Sequence, residues 1–137
     1  MPAIPSLLKR EVEERAFGRC EYCMSQNRFS PDPFSVEHII PLSRKGLSQS
    51  DNLAYACQGC NNRKYNAIEA IDPLNGKATP LFHPRQHIWG EHFTWNDDYT
   101  LVIGLTAIGR ATIERLKMNR IGLINLRKIL HSCGEHP

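Results

Sequence analysis

Residues 36 to 43 read Val36-Glu37-His38-Ile39-Ile40-Pro41-Leu42-Ser43, and residues 57 to 64 read Cys57-Gln58-Gly59-Cys60-Asn61-Asn62-Arg63-Lys64. Phe34 to Ile40 alternates well enough to predict a short strand, which Pro41 stops. Leu53 to Ala56 is predicted as a second strand that leads into Cys57. A helix is predicted to follow from Asn61 to Ile71, closed by Asp72-Pro73. This stretch carries the only dense polar cluster of the chain.

Four of the five cysteines flank this stretch as two pairs of identical spacing, Cys20 with Cys23 and Cys57 with Cys60. The odd count argues against a pure disulfide framework, and paired C-x-x-C motifs in a reducing compartment indicate a metal. Two such knuckles complete a closed, tetrahedral, structural zinc site. The alternative is four buried or redox-active cysteines, which does not explain the repeated spacing. Cys133 is left over as a thiol without a role.

The gap between the cysteine pairs is long. A simple zinc ribbon leaves roughly 12 to 20 residues between its knuckles, whereas 33 residues lie between these two. The metal is therefore expected to hold together the two ends of an inserted element, rather than to form a small zinc finger.

The inserted element brings together residues suited to cleaving a phosphodiester. That reaction needs a hard cation to polarise oxygens, and a base that activates water and is held in one orientation. Glu37 and Asn61 offer oxygen ligands that suit Mg²⁺, and His38 offers a base with a usable pKa. Neighbouring residues of a strand face opposite sides, so Glu37 and His38 share a site only where the strand ends or twists.

These motifs resemble the HNH endonuclease family with a four-cysteine zinc site. The resemblance rests on Glu-His-Ile-x-Pro-x-Ser, then Asn-Leu, then Cys-x-x-Cys-Asn-x-x-Lys, and it covers residues 20 to about 70. It implies a ββα-metal fold, also called the His-Me finger, in which two antiparallel strands and a helix surround a catalytic cation. It further implies a metal-dependent endonuclease that hydrolyses DNA.

The resemblance assigns a role to each matching position. It makes His38 the general base and Glu37 an acidic ligand of the catalytic cation, Mg²⁺ or Mn²⁺. Asn52 corresponds to the residue that braces the loop and orients the histidine through backbone contacts. The third motif position, often histidine, is Asn61, whose carbonyl oxygen still suits Mg²⁺.

Each of these residues also has an ordinary alternative. Glu37 and His38 could be a surface pair, Asn52 a turn residue, Asn61 a helix N-cap and Lys64 a solvated side chain. Only the arrangement of these residues together with the two cysteine pairs favours catalysis.

Phosphate contacts are expected at two places. Lys64 lies one helical turn beyond Asn61, on the same face, and is expected to contact phosphate, with Arg63 as a weaker candidate. The net charge is only +3, but residues 106 to 130 hold six basic residues and one acid. This basic block indicates a DNA-backbone surface, and its alternative is a solvated helix face. Its candidates for nucleic-acid binding are Arg110, Arg115 and Lys117.

The predicted class is α+β, with residues 1–72 as an N-terminal helix plus nuclease core and residues 73–137 as an extension packed on that core. The later segment also resembles an extension found on small bacterial HNH proteins, which implies no defined activity. The predicted elements outside the core are a helix at 7–17 capped by Ser6, a hairpin at 92–95 and 99–105, and helices at about 107–118 and 121–131. The predicted apolar core of the extension is Trp89, Phe93, Trp95, Leu101, Ile103 and Leu105.

Composition sets the remaining expectations. No run of about 18 apolar residues occurs, so no membrane span is predicted. The first residues lack a secretory apolar stretch, so the expected compartment is the cytoplasm. His83, His87 and His92 are too irregularly spaced to predict a second metal site. A catalytically inactive zinc-bearing module that binds nucleic acid, or a protein-interaction zinc domain, would have no need of the complete set at Glu37, His38 and Asn61.

Overall fold

The computed structural model describes residues 4–137, which form two compact units. The first unit comprises residues 4–68 and 83–87, and the second comprises residues 69–82 and 88–137. The domain boundary expected after residue 72 stays a prediction. Within residues 4–137, no helix is both long and apolar enough to cross a bilayer.

The first unit is a mixed α+β structure, as predicted, built on one antiparallel strand pair. Ser35 lies opposite Ala56, and His38 lies opposite Leu53. The second strand has the bounds that its apolar run predicts. The main elements of this unit are α1 (Ser6–Arg15), β1 (Ser35–His38), β2 (Leu53–Ala56) and α2 (Gln58–Lys64).

The core of the first unit lies between α1 and the strand pair. Val12 and Ala16 are four residues apart, so they share one helix face, and they pack with Leu53 and Tyr55. All four residues of β2 are buried, which explains why this strand reads as a continuous apolar run. Helix α1 begins at Ser6 with Pro5 in the N-cap position, so the expected Ser6 cap is wrong.

Helix α2 is shorter than predicted. It begins at Gln58 because the Cys57 sulfur accepts a hydrogen bond from the Cys60 amide and caps it. Asn61 therefore lies inside the helix and not at its N-cap. The helix ends at Lys64 because Tyr65 takes a positive φ of 51° with ψ −116°, which is not helical backbone.

The second unit contains two strand pairs, β3 with β4 and β5 with β6, and three helices. The hairpin of β5 and β6 and the last two helices were predicted, within two residues at most ends. The pair β3 and β4 was not predicted, because residues 69–71 were assigned to the preceding helix. The bounds are β3 (Glu69–Ile71), β4 (Ala78–Pro80), α3 (Trp89–His92), β5 (Phe93–Trp95), β6 (Val102–Gly104), α4 (Ala107–Leu116) and α5 (Ile121–Ser132).

The predicted core of the extension is partly wrong. Phe93 is buried, but Leu101, Ile103 and Leu105 are 37–52% exposed, and Val102 is the buried residue of β6. Successive residues of a strand face opposite sides. The strand therefore turns Val102 toward the core and leaves its larger apolar neighbours, Leu101 and Ile103, partly exposed.

Candidate active site

Four buried thiols lie together at one end of the first unit. The Sγ atoms of Cys20, Cys23, Cys57 and Cys60 all fall within 4.8 Å of one another. The sulfurs of Cys23 and Cys57 are 3.7 Å apart. Tetrahedral zinc with Zn–S bonds of about 2.3 Å requires sulfurs about 3.8 Å apart. The residues thus fit a closed metal site, and four-sulfur ligation is typical of structural zinc.

The two knuckles have the same local geometry. The Cys23 amide donates to the Cys20 sulfur at 3.5 Å, and the Cys60 amide donates to the Cys57 sulfur at 3.4 Å. Burial raises the pKa of Cys20, whereas the hydrogen bond with Cys20 lowers the pKa of Cys57. A divalent cation would draw all four thiols into the thiolate form.

The first knuckle is tied to strand β2 by Glu21. The Glu21 amide donates to the Tyr55 carbonyl at 2.8 Å, and its Oε2 accepts from the Tyr55 amide at 2.8 Å. Glu21 also forms an ion pair with Arg85, in the segment 83–87. Burial, together with the nearby positive charge of Arg15, lowers the pKa of Arg85 to about 10. The metal cluster, the strand pair and this later segment are thus joined through one carboxylate.

Glu37 is a buried carboxylate with two hydrogen-bonding partners, one of which, Lys64, also carries the opposite charge. The Tyr22 hydroxyl donates to Oε1 at 2.5 Å, and Lys64 Nζ lies 3.2 Å from Oε2. Burial raises the pKa of Glu37, while Lys64 and Tyr22 act in the opposite direction. Burial and the Glu37 charge raise the pKa of Tyr22, so that its hydroxyl stays a donor.

His38 is the last residue of β1, so it can share a site with its neighbour Glu37. Its Nε2 lies 2.8 Å from the Ser48 hydroxyl. Within the described residues no hydrogen bond reaches Nδ1. Partial burial and the positive charge of Lys64 lower the pKa of His38. The imidazole is therefore neutral at pH 7, with one nitrogen anchored and the other available.

Asn52 ties down the loop that connects the two strands. Its Oδ1 accepts from the Ile40 amide, and its Nδ2 donates to the carbonyls of Ile40 and Leu47, all at 2.9–3.0 Å. A Cβ on Gly46 would lie 1.7 Å from the Ile40 carbonyl oxygen, so only glycine fits there. These bonds hold the backbone just beyond His38. The bracing role predicted for Asn52 requires such backbone contacts.

Asn61, Glu37 and His38 line one cleft of about 580 Å³. Helix α2 supplies Asn61, and β1 supplies the other two. The remaining lining residues lie at or just before α1, in β1 and the loop after it, and in the turn after α2, and they include Lys9 and Tyr65. The structure therefore brings together the three residues that the sequence selected for hydrolysis.

Lys64 corrects an expectation. It is 1% exposed, and its ammonium donates to Glu37, to the His38 carbonyl at 3.3 Å and to the Ile39 carbonyl at 2.8 Å. The ammonium points inward, so in this conformation it does not contact phosphate. Arg63, the weaker candidate, is exposed and donates to the Gly59 carbonyl.

The basic block of the second unit is largely engaged in the fold. Arg110 forms a two-point ion pair with the buried carboxylate of Asp72, at 3.0 and 2.8 Å. Arg127 is 4% exposed and donates to the carbonyls of Thr100 and Met118. Arg110 uses Nε and Nη2 in this ion pair while its side chain stays 28% exposed, so its expected contact with DNA stays a prediction. Arg115 and Lys117 are exposed, and Lys117 pairs with Glu114 at 2.6 Å.

Sequence reasoning missed Ser48, Tyr22 and Tyr65. Ser48 lies in a loop that spacing cannot place against His38. Tyr22 lies between two cysteines of the cluster, and nothing in a single sequence connects it to Glu37. Tyr65 was predicted to lie within a helix, and only its backbone conformation shows that it follows the helix instead.

Comparison with known proteins agrees with this geometry. Residues 20–67 match the family model for HNH endonuclease, a span of 48 residues. No curated protein matches the chain. The match begins at the first knuckle and ends beyond α2, so it contains the cysteine cluster, the strand pair and the three residues Glu37, His38 and Asn61. The chain is therefore similar to the HNH endonuclease family over residues 20–67, and its strands, helix and four cysteines agree with a ββα-metal core.

Proposed function

We propose that this protein is a metal-dependent endonuclease that hydrolyses phosphodiester bonds of DNA. The observation that carries the proposal is the cleft that Glu37, His38 and Asn61 line together. A module that only bound nucleic acid would need neither a buried carboxylate at the cleft nor a neutral imidazole beside it.

Glu37 and Asn61 would hold the catalytic cation. Both offer oxygen atoms, and oxygen ligands suit Mg²⁺ or Mn²⁺. Each Glu37 oxygen accepts one hydrogen bond from the protein and keeps a second lone pair. When bound, such a cation supplies charge stabilisation at the phosphoryl oxygen and at the leaving oxygen.

His38 is proposed as the general base. The Ser48 hydroxyl holds Nε2, and a proton on Nε2 leaves the Nδ1 lone pair to accept a proton from water. The lowered pKa of His38 keeps that lone pair present at neutral pH. Asn52 is proposed to support this base by fixing the backbone that follows it.

Exposed cations are proposed to contact the DNA backbone. Arg63 lies on α2, the helix that also carries Asn61, and Arg115 and Lys117 lie at the end of α4 and beyond it. Charge reversal of Arg115 and Lys117 to Glu is expected to weaken DNA binding and to flatten its dependence on salt. Unchanged affinity and salt slope would remove these two residues from the proposal.

The direct experiment follows nicking of a supercoiled plasmid by the full chain. We expect nicking with Mg²⁺ and none without it, while zinc content, measured in the same samples, stays constant. An excess of EDTA should stop the reaction, and returned Mg²⁺ should restart it wherever zinc is retained. A protein that binds DNA and holds zinc but never nicks would favour the inactive binding module.

A further inference from the structure

Each carboxylate oxygen of Glu37 accepts a hydrogen bond from a residue close in sequence to one of the two cysteine pairs. Tyr22 lies between Cys20 and Cys23, and its hydroxyl donates to Oε1 at 2.5 Å. Lys64 lies one helical turn beyond Cys60, and its ammonium lies 3.2 Å from Oε2. Tyr22 is 0% exposed and Lys64 is 1% exposed. The cysteine cluster therefore holds in place the backbone from which both side chains reach Glu37.

The hydroxyl of Tyr22 is not needed to fill the space around this side chain. A phenylalanine ring would fill nearly the same space but lacks the hydroxyl that donates a hydrogen bond to Glu37. A carboxylate that binds a cation needs a fixed orientation, and hydrogen bonds to its oxygens provide it.

We propose that Tyr22 is a positioning residue that aims Glu37 at the catalytic cation, and that the zinc cluster acts on the active site through it. This inference rests on the proposed function, because it takes Glu37 as a ligand of that cation.

The test compares Tyr22→Phe with the wild type, both in a His38→Ala background in which no cleavage is expected. Mn²⁺ binding is followed by the loss of the free-ion signal in electron paramagnetic resonance. We expect affinity to fall by about 10- to 100-fold, as for other groups that hold a metal ligand. Zinc content should not change. Tyr55→Phe is the matched control, a buried tyrosine of the same unit, and its Mn²⁺ affinity should equal that of the parent.

A double-mutant cycle separates positioning from a general loss of stability. In a Glu37→Gln background, Tyr22→Phe should lower Mn²⁺ affinity no further, because its target carboxylate is gone. Unchanged affinity in Tyr22→Phe, an equal loss with and without Glu37, or a loss of zinc would each overturn the inference. If the wild type never nicks DNA but Tyr22→Phe still weakens Mn²⁺ binding, the proposed function fails and the positioning role stands.

A second observation concerns Tyr65, at the edge of the same cleft. Residues 64–67 form a tight turn closed by a hydrogen bond of 2.9 Å from the Ala67 amide to the Lys64 carbonyl. Tyr65 has φ 51° and ψ −116°, the first central position of a type II′ turn, which glycine normally fills. Its side chain is 75% exposed. The chain therefore keeps a large aromatic ring at the cleft in a backbone conformation that disfavours it.

We infer that Tyr65 stacks on a nucleobase of the bound strand, an inference that also rests on the proposed function. The ring lines the cleft that holds Glu37, His38 and Asn61, and aromatic rings stack on bases of any sequence. Arg44 donates to the Asn66 carbonyl at 2.9 Å and so holds the next residue of the turn in place.

The experiment measures binding of two single-stranded oligonucleotides of equal length, one of thymidine and one of abasic sites, in the His38→Ala background. Tyr65→Gly should raise the melting temperature, because it relieves the backbone strain. It should also weaken thymidine binding by roughly 5- to 100-fold and leave abasic binding unchanged. Tyr65→Phe should bind both as the parent does. Equal losses on both oligonucleotides, or none, would overturn the inference. Normal nicking by Tyr65→Gly with unchanged binding would overturn it alone and leave the proposed function intact.

Discussion

Lys64 and Glu37 form a buried ion pair, with Nζ 3.2 Å from Oε2 and neither side chain more than 7% exposed. Lys64→Met should therefore destabilise the protein by about 3–5 kcal/mol, because it leaves a buried carboxylate without its cation. The free energy of unfolding in denaturant measures this. In Lys64→Met combined with Glu37→Gln, part of that loss should return. A stable Lys64→Met protein with weakened DNA binding would instead restore the phosphate role that the sequence suggested.

Gly46 should be intolerant of any side chain. Gly46→Ala brings a methyl group within 1.7 Å of the Ile40 carbonyl oxygen, which the loop relieves only by moving away from Asn52. We expect a loss of about 1–3 kcal/mol, typical of overpacking, together with slower nicking. Gly122→Ala is the control, since a Cβ there has no neighbour within 4 Å. Equal behaviour of the two variants would contradict the account of the loop.

Asp72 should make the second unit sensitive to acid. Its ion pair with Arg110 lowers the pKa of Asp72, so the stabilisation is present at neutral pH. It should fade as pH falls below the unfolded value of about 4 and through the lower folded value. Both tryptophans, Trp89 and Trp95, lie in this unit, so their fluorescence reports its unfolding.

The comparison uses Asp72→Asn, with Asp97→Asn as an exposed control. The wild type should be more stable than Asp72→Asn at pH 7, and the two curves should converge at acid pH. A difference that stays constant from pH 7 to pH 2 would rule out the ion pair as its source.

The sequence predicted those features that depend on residues close together in the chain. The cysteine spacing located the metal cluster, and the motif around Glu37 and His38 located the cleft. Contacts between distant residues did not follow from it. Lys64 was predicted to contact phosphate, because only the fold reveals the carboxylate and the two carbonyls around its ammonium. Helix α2 ends at Lys64 because Tyr65 takes a backbone conformation that no residue preference for tyrosine suggests.

Zinc should be required for folding of the first unit. Cys57→Ser removes one of four ligands and also replaces the sulfur that caps α2. Metal binding supplies folding free energy in small zinc domains, so we expect this variant to lose stoichiometric zinc and much of its stability. Cys133→Ser is the control, because that thiol is exposed and outside the cluster. A wild type that contains no metal by elemental analysis would refute the zinc assignment.

The central claim is the division of labour between His38 as base and Asn61 as cation ligand, tested by the initial nicking rate at increasing Mg²⁺. His38→Ala should lose roughly 10²–10⁴-fold in rate, as for a missing general base, and no Mg²⁺ concentration should restore it. Asn61→Ala should need more Mg²⁺ and should recover in part as Mg²⁺ rises. Both should keep zinc and bind DNA. Nicking by His38→Ala at the wild-type rate would contradict the proposed active site.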